Sequence, residues 1–415
     1  MVLFIFNPDT DLALANGKGN YTPTEGVRQM IDDLALLPIW YAEPNSYVLA
    51  EGEHNQAFLE QMRELLHIDV QLISLSELKT ATRPTSETAT GSLTEMSAES
   101  IEVCPWGWNR SFRNRLVRAG IDSRFLPSDD ELEKRRQLSQ RNVVEQVLAL
   151  FDNEPGFCGV SRSMTNTQDC EQYFNSMNET GGVVFKEPWS SSGKGLRWCR
   201  EAFNKRDKNW CQRVIDNQGY VAVSPIYNKV QDFAMEFNVG DEADVKFVGY
   251  SLFHTDKGFY KGNALLSNDE IVETLARYVS PSSLDIVKDR VGLYLAQAGY
   301  NGCVGVDMMV CQSSDGGYCI HPCVEVNYRA TMGYLARLLK DNFLDPNANG
   351  HFMIQHFRSP SELQAFVNDN RSKAPLVIQN ARVVSGFLPL VPVTPTSQNL
   401  AYIEVCFRCH NGLWQ

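Results

Sequence analysis

Several features that would mark a membrane or exported protein are missing from the sequence. No stretch of the 415 residues approaches the roughly eighteen consecutive apolar residues that a membrane-spanning helix needs. The N-terminus, "MVLFIF", has neither a basic leader nor a small-residue cleavage site, so it predicts a first β-strand. Positive charge is also scarce, and a formal net charge of −12 disfavours nucleic-acid and anionic-membrane partners. We therefore expect a cytoplasmic protein without nucleic-acid or membrane partners.

The 11 cysteines are odd in number and scattered, which is typical of buried thiols in a reducing compartment. One group, "CFRCH" at Cys406 to His410, has the C-x-x-C-H spacing of haem attachment. No export signal accompanies it, and no second Cys/His pair lies nearby at the spacing of a zinc site. We interpret it as part of a terminal strand, with haem or metal binding as the alternatives.

The chain is longer than one hydrophobic core usually organises, so two or three packed units are expected. Up to about residue 125, strand-like runs ("VLFIF", "IWYAE", "VQLISL") alternate with helical ones, which predicts a mostly parallel sheet with covering helices. A single helix is predicted for residues 129–151, capped by Ser128 or Asp129, and another near 285–298. Later strand-rich segments indicate α+β units.

A strand followed by a Ser/Gly-rich loop occupies residues 183–195, "VVFKEPWSSSGKG". The P-loop motif is excluded, because it needs Ser or Thr directly after its lysine whereas Gly195 follows Lys194. What remains is a strand ending at Lys186 and a loop whose backbone N–H groups can close over an anion. The alternative is a plain turn after a lysine that extends to solvent.

Residues 302–333 predict a β-hairpin, because two apolar runs flank the turn-forming "SSDGG". On the second strand Glu325, Asn327 and Arg329 are two apart and so share one face, to which Asp307 on the first strand can also point. Carboxylates inside an apolar hairpin need a cation, and magnesium takes hard oxygen ligands of this kind together with phosphates. The alternative is a solvent-facing strand with ordinary ion pairs.

These motifs resemble those of the ATP-grasp superfamily in kind and in order. The resemblance rests on "VVFKEPWSSSGKG", "YVAVSPIYNKVQDFAMEF" and "GVDMMV…VEVNYR", which span about residues 130–335. It implies an ATP-grasp fold, α/β and α+β in class, in which an N-terminal pre-ATP-grasp α/β domain precedes two α+β subdomains that hold ATP between them. We predict residues 1–125 for the N-terminal domain, 126–225 for the subdomain with the phosphate loop, and 226–415 for the subdomain with the magnesium site and closing strands.

The resemblance also implies a role for each motif residue. Lys186 would contact the α and β phosphates, and Arg329 would neutralise charge during phosphoryl transfer, so both are predicted catalytic residues. Glu236 is the alternative to Asp232 at the ribose. The other implied contacts are Arg141 and the loop Ser190, Ser191, Ser192, Gly193, Lys194 and Gly195 for phosphates, Ile226 for adenine, Asp232 for ribose, and Asp307, Glu325 and Asn327 for Mg²⁺ or Mn²⁺.

Two N-terminal loops at predicted strand ends, "FNPDTDLALANGKGNYTP" and "CPWGWNRSFRN", are candidates for gripping substrate. Three side chains there, Asp9, Asp11 and Asn16, suit an amine. Arg110 and Arg113 suit a carboxylate. The alternative for each of them is ordinary loop capping.

The activity implied by the resemblance is an ATP- and magnesium-dependent, ADP-forming ligation of a carboxylate to an amine through an acyl phosphate. Its partners would be the two small-molecule substrates, and a homodimer stays open because members of the superfamily often form one. Two alternatives remain at this point. One is a small-molecule kinase of the same superfamily, and the other is a non-catalytic nucleotide-binding regulatory protein.

Overall fold

A four-stranded parallel sheet forms the N-terminal part of the computed structural model, which describes residues 1–82, 101–177, 181–190, 193, 195–256 and 259–407. The strands lie in the order β3-β2-β1-β4, with bounds β1 Val2–Ile5, β2 Ser46–Leu49, β3 Val70–Ile73 and β4 Glu102–Pro105. The helices of this part are α1 Thr10–Asn16, α2 Glu25–Asp33, α3 Glu53–Leu66, α4 Leu75–Ala81 and α5 Arg110–Arg118. The predicted parallel sheet is therefore confirmed.

The prediction of a strand at "IWYAE" was wrong. A 3₁₀ helix, Leu37–Trp40, begins this segment, and the strand follows as β2. Pro38 explains the difference, since proline has no N–H for a ladder and its fixed φ suits the first turn of a helix. The apolar run is buried by tertiary packing instead, and the Trp40 indole donates to the Leu390 carbonyl at 2.6 Å.

The predicted single helix over residues 129–151 is two helices, α6 Asp129–Leu138 and α7 Val143–Ala149. Ser128 caps α6 in a capping box with Glu131, as predicted for its start. The break arises because two backbone N–H groups bond outside the helix: that of Arg141 donates to the Pro188 carbonyl at 3.1 Å, and that of Asn142 to the Tyr220 hydroxyl at 3.0 Å. This break places Arg141 beside the predicted phosphate loop.

A second, antiparallel sheet follows with strand order β5-β8-β6-β7. Its strands are β5 Arg162–Met164, β6 Val183–Lys186, β7 Leu196–Cys199 and β8 Val221–Pro225, and its helices are α8 Thr167–Ser176 and α9 Lys205–Gln218. The strand predicted to end at Lys186 is confirmed as β6. It pairs with both β7 and β8, so the loop after it connects an inner strand to the edge strand β7.

The third sheet is antiparallel and nine-stranded, in the order β13-β12-β9-β10-β11-β14-β17-β16-β15. Its strands are β9 Asn228–Val239, β10 Val245–Asp256, β11 Phe259–Leu265, β12 Gly302–Gln312, β13 Tyr318–Asn327, β14 Ala348–His356, β15 Val377–Gln379, β16 Arg382–Pro389 and β17 Asn399–Phe407. Its helices are α10 Asn268–Leu275, α11 Pro281–Gln297, α12 Met332–Phe343 and α13 Pro360–Lys373. The predicted hairpin of residues 302–333 and the helix near 285–298 are both confirmed.

The alternation of β9 and β12 separates an apolar face from a polar one. Phe233, Met235, Val304 and Val306 are fully buried in one core with residues of α11. The intervening residues of both strands lie on the opposite face, as the period of two requires. That polar face carries the predicted magnesium ligands.

The predicted fold class, α/β followed by α+β, is thus confirmed, while the domain boundaries stay predictions. No described helix is long and apolar enough to cross a bilayer. Most of the polar segment 79–100, and residues 408–410 of the "CFRCH" group, lie outside the described residues.

Candidate active site

The three predicted metal ligands lie together on the polar face of the third sheet. Asp307 pairs across the strands with Glu325, and Gly305 with Asn327, so all three side chains share one face. The Asn327 amide donates to Asp307 Oδ2 at 3.2 Å. Burial, followed by the neighbouring carboxylates Glu325 and Glu236, raises the pKa of Asp307 well above its usual range.

This donor set fits a hard divalent cation. The two neighbouring carboxylates, Asp307 and Glu325, are stabilised when a cation lies between them, and the Asn327 oxygen is a third hard donor beside them. Glu325 remains about one-third exposed, so one side of the group is open to a phosphate. Among the described residues, no three His, Cys, Asp or Glu side chains form a metal-binding group; the set predicted here has two carboxylates and one amide.

Arg141 connects this carboxylate group to the phosphate loop. One of its terminal nitrogens lies 3.0 Å from Glu325 Oε1, and the same nitrogen donates to Ser190 Oγ at 3.2 Å. The side chain is buried, and its Nε has no hydrogen-bond partner among the described residues. A buried guanidinium with an unused donor suits a further anionic ligand.

The described part of the phosphate loop consists of Ser190, Gly193 and Gly195, because Ser191, Ser192 and Lys194 lie outside the described residues. Gly193 and Gly195 have φ of 73° and 76°, a region that favours glycine. A Cβ on Gly195 would lie 2.6 Å from the Ser190 Cβ. The loop therefore needs glycine there to fold back over the end of β6.

Lys186 ends β6 below this loop. Burial and then the charge of Arg141 lower the pKa of Lys186 to about 8, and the charge of Glu325 opposes this shift. The same lysine contributes, after burial, to the low pKa of about 3 of the His321 imidazole. Lys186, Arg141 and the carboxylates thus lie within electrostatic reach of one another.

The guanidinium of Arg329 is held by the N-terminal part of the chain. It donates to both carboxylate oxygens of Asp11, at 2.9 and 2.7 Å, to Asn327 Oδ1 at 2.9 Å and to the Ala330 carbonyl at 3.1 Å. Four of its five N–H groups are therefore engaged. The pair with Asp11 links residues 318 apart in sequence, which no local pattern signals.

The two predicted nucleoside contacts, Ile226 and Asp232, are partly engaged in hydrogen bonds within the protein. The Ile226 N–H donates to the Gly182 carbonyl at 3.0 Å, so only its carbonyl is left for the adenine contact that we predict. Asp232 accepts from Lys229 and from Thr255 Oγ1, the latter at 2.7 Å. Its side chain retains 14% exposure, and its ribose contact stays a prediction.

Glu236 is not available as the alternative to Asp232, because it is only 1% exposed. Its two oxygens accept from Thr331 Oγ1 at 2.8 Å and from Ser251 Oγ at 3.2 Å. Gly333 packs so closely that a Cβ there would overlap the carboxylate. The residue is enclosed between β9, β10 and α12, without access for a sugar.

Glu236 gives a testable pH dependence. Burial raises its pKa from 4.5 to about 7, so the folded state holds the proton more tightly than the unfolded chain, and stability falls as pH rises from 4.5 to 7. We expect Glu236→Gln, which keeps an acceptor for Thr331, to unfold at the same denaturant concentration as the wild type near pH 4.5. At pH 8 we expect it to be more stable by about 2–3 kcal/mol. Urea unfolding at both pH values measures this, and equal stability at pH 8 would disprove the shift.

The two predicted substrate loops meet at the carboxyl ends of β1 and β4. Asn7 and Thr10 both donate to the Gly107 carbonyl, at 2.7 and 2.9 Å, and Asn109 donates to Thr10 at 2.9 Å. The predicted amine and carboxylate contacts are mostly engaged elsewhere. Asp9 pairs with Arg115, Arg110 with Asp129, and Arg113 donates to the Pro127 carbonyl, while Asn16 accepts from the Lys18 N–H.

No protein-family model and no curated protein matches the sequence. Solved structures of similar shape include an N5-carboxyaminoimidazole synthetase from Staphylococcus aureus, at 10% identity and a TM-score of 0.47 over 99% of this chain and 94% of that one. Another is the biotin carboxylase β-γ-ATP complex from Campylobacter jejuni, at 10% identity and a TM-score of 0.49 over 97% of this chain and 86% of that one. The N5-carboxyaminoimidazole synthase from Aspergillus clavatus, in complex with ADP and 5-aminoimidazole ribonucleotide, has 10% identity and a TM-score of 0.46 over 88% of this chain and 94% of that one.

The order of the three sheets along the chain matches the order of the sequence motifs. A parallel N-terminal α/β sheet precedes a small antiparallel α+β unit with the Ser/Gly loop, and a large antiparallel unit carries the acidic hairpin. The loop of the first α+β unit and the carboxylates of the second face each other through Arg141. This is the order and the arrangement that the sequence motifs imply for an ATP-grasp fold.

Proposed function

We propose that the protein is an ATP- and magnesium-dependent ligase that joins a carboxylate to an amine. The observation that carries this proposal is the clustering of two cationic and two acidic side chains around the ion pair of Arg141 with Glu325. Lys186 and Arg141 form the cationic side, and Asp307 and Glu325 form the anionic side. A complex of Mg²⁺ with a polyphosphate has the complementary charges, because its metal suits the carboxylates and its phosphates suit the cations.

Each residue then has a defined task. Asp307, Glu325 and Asn327 would hold Mg²⁺, which when bound neutralises the phosphate oxygens. The loop from Ser190 to Gly195 would cover the β and γ phosphates through its N–H groups, and Lys186 would contact the α and β phosphates. Arg329, fixed by Asp11, has one N–H left to direct at the transferred group.

The chemistry proceeds in two displacements. A substrate carboxylate oxygen attacks the γ phosphorus, the bond from that phosphorus to the β–γ bridging oxygen breaks, and ADP leaves. The amine nitrogen then attacks the carbonyl carbon of the acyl phosphate, inorganic phosphate leaves, and the nitrogen loses a proton to water. Catalysis by positioning and charge stabilisation is sufficient for such transfers, and no side-chain nucleophile is required.

The experiment that tests this function measures ADP release from Mg-ATP over a panel of carboxylates, each with and without a set of amines. We expect ADP and phosphate in equal amounts only when one carboxylate and one amine are present together. Release driven by a hydroxyl compound that emerges phosphorylated would replace the ligase with a kinase. Binding of Mg-ATP without release for any pair would leave a nucleotide-binding protein.

Asp11 should matter for turnover but not for nucleotide binding. In Asp11→Asn the guanidinium of Arg329 keeps a neutral partner and loses the charge that fixes its orientation. A charge-assisted hydrogen bond contributes about 1.5–3 kcal/mol, so we expect a fall in kcat of about 10- to 100-fold with an unchanged Kd for Mg-ATP. Asp369→Asn, which removes the exposed partner of Lys373, is the control. An unaltered kcat in Asp11→Asn would show that the pair is only a contact between domains.

A further inference from the structure

Two cavities border Arg329, and they differ greatly in size. The gap between Asp11, Trp189 and Glu325 has a volume of 20 Å³, which holds about one water molecule. The other is a cleft of 1230 Å³ along strand β4, here called the β4 cleft, which exceeds the roughly 300–1,000 Å³ of most ligand pockets. Of these two cavities, only the β4 cleft has room for a substrate beside Arg329.

The walls of the β4 cleft combine aromatic and apolar side chains with polar groups. One wall is the whole of β4, Glu102–Pro105, with Trp106 after it, and the other is formed by the end of β9 and the start of β12. The rings of Tyr41, Phe4 and Tyr334 also line it. Such walls suit an organic body, and aromatic faces attract a cation.

Most charged groups of the cleft are already satisfied by the protein. Arg329 is held by Asp11. Arg135 donates to the Asn301 carbonyl at 3.2 Å, and its guanidinium lies over the Tyr300 ring. Arg124 forms an ion pair with Asp122, Asp241 accepts a hydrogen bond from the Asn301 amide, and Glu131 forms part of the capping box of α6.

Two carboxylates are left over. Glu43 and Glu102 are exposed to the cleft, and neither forms an ion pair with any residue that the structure describes. Both line the cleft together with Cys104, whose thiol lies 3.6 Å from Glu102 Oε1; burial and then Glu102 raise the pKa of this thiol to about 12, with a smaller contribution from Glu43. Beside them the Tyr41 hydroxyl is buried with no hydrogen-bond partner among the described residues.

We propose that the β4 cleft binds an elongated organic cation, whose ammonium or guanidinium group lies between Glu43 and Glu102 and whose other end reaches Arg329. This inference rests on the proposed function, in which the cation is one of the two molecules to be ligated. The substrate class is therefore a molecule with a fixed positive charge at one end and its reacting group at the other.

The test compares two probes of the same shape and opposite charge, 4-phenylbutylamine and 4-phenylbutyrate, by calorimetric titration of the full chain at low salt. We expect the amine to bind at least tenfold more tightly than the carboxylate. The variant Glu43→Gln/Glu102→Gln should lose at least tenfold of the amine affinity, with its melting temperature and its Kd for Mg-ATP unchanged. Glu64→Gln, on an exposed position of α3, is the matched control and should bind the amine as the wild type does.

The proposal is overturned if neither probe binds, if the carboxylate binds as tightly as the amine, or if the double variant retains the amine affinity. Failure of the ligase function looks different. If the amine probe behaves as expected while no carboxylate and amine pair drives ADP release, the cleft is a cation site and the ligase assignment is wrong. If a substrate pair drives ADP release with the same KM in the double variant, the ligase stands and the cleft assignment is wrong.

Discussion

Asp307→Asn and Glu325→Gln are each expected to reduce ADP release by about 10³-fold or more, while in Asp307→Asn the melting temperature without ligand stays equal to or above that of the wild type. The two carboxylates are cross-strand neighbours with the Asn327 amide beside them. A bound metal contributes several kcal/mol of charge stabilisation to phosphoryl transfer, and each 1.36 kcal/mol changes the rate about tenfold. Asp307→Asn should not harm the fold, because it removes one of two repelling carboxylates, whereas Glu325→Gln also removes the ion-pair partner of the buried Arg141 and should lower the melting temperature.

Asp315→Asn is the matched control, since Asp315 lies in the turn of the same hairpin and accepts only from Ser313 and the Gly317 N–H. The dependence of ATP binding on Mg²⁺ is a second measurement, and it needs no carboxylate or amine substrate. In the wild type, Mg²⁺ should tighten ATP binding, and in both site variants this dependence should be lost, whereas Asp315→Asn should keep it. Full activity in both Asp307→Asn and Glu325→Gln would remove the metal assignment from these residues.

The clustering of Asp307, Glu325 and Asn327 was predictable because their arrangement is local. Strand period and hairpin pairing alone put Asp307 opposite Glu325, and the structure has that register. The same holds for the strand that ends at Lys186. In both cases the polar residues interrupt an apolar pattern, and such an interruption is visible in the sequence.

The contacts that join the site together were not predictable in this way. Arg141 reaches Glu325 across 184 residues of sequence, and Arg329 reaches Asp11 across 318. The break between α6 and α7 is equally non-local, because the carbonyl of Pro188 and the hydroxyl of Tyr220 draw N–H groups out of a helical pattern that continues in the sequence. Local propensity is overridden wherever a tertiary partner offers a better hydrogen bond.

Lys186→Met is expected to weaken Mg-ATP binding by at least about 100-fold and at the same time to make the free protein more stable. Burial and the charge of Arg141 lower the pKa of Lys186 from 10.5 to about 8. The folded state therefore disfavours the charged lysine, and this cost is fully present below pH 8 and disappears as pH rises towards 10.5. Methionine keeps the apolar stem and removes the charge, so the gain near pH 7 should be about 1–3 kcal/mol.

A gain in stability combined with a loss of binding distinguishes a binding residue from a structural one, because removal of a structural residue lowers both. Urea unfolding at pH 7 and pH 10, together with titration of Mg-ATP, measures the two effects, and the stability difference should shrink at the higher pH. Lys208→Met, which removes an exposed pair with Glu171 on the same subdomain, should change neither quantity by more than a surface ion pair does. If Lys186→Met binds Mg-ATP normally, Arg141 alone supplies the cationic group of the phosphate site, and Lys186 is only the last residue of its strand.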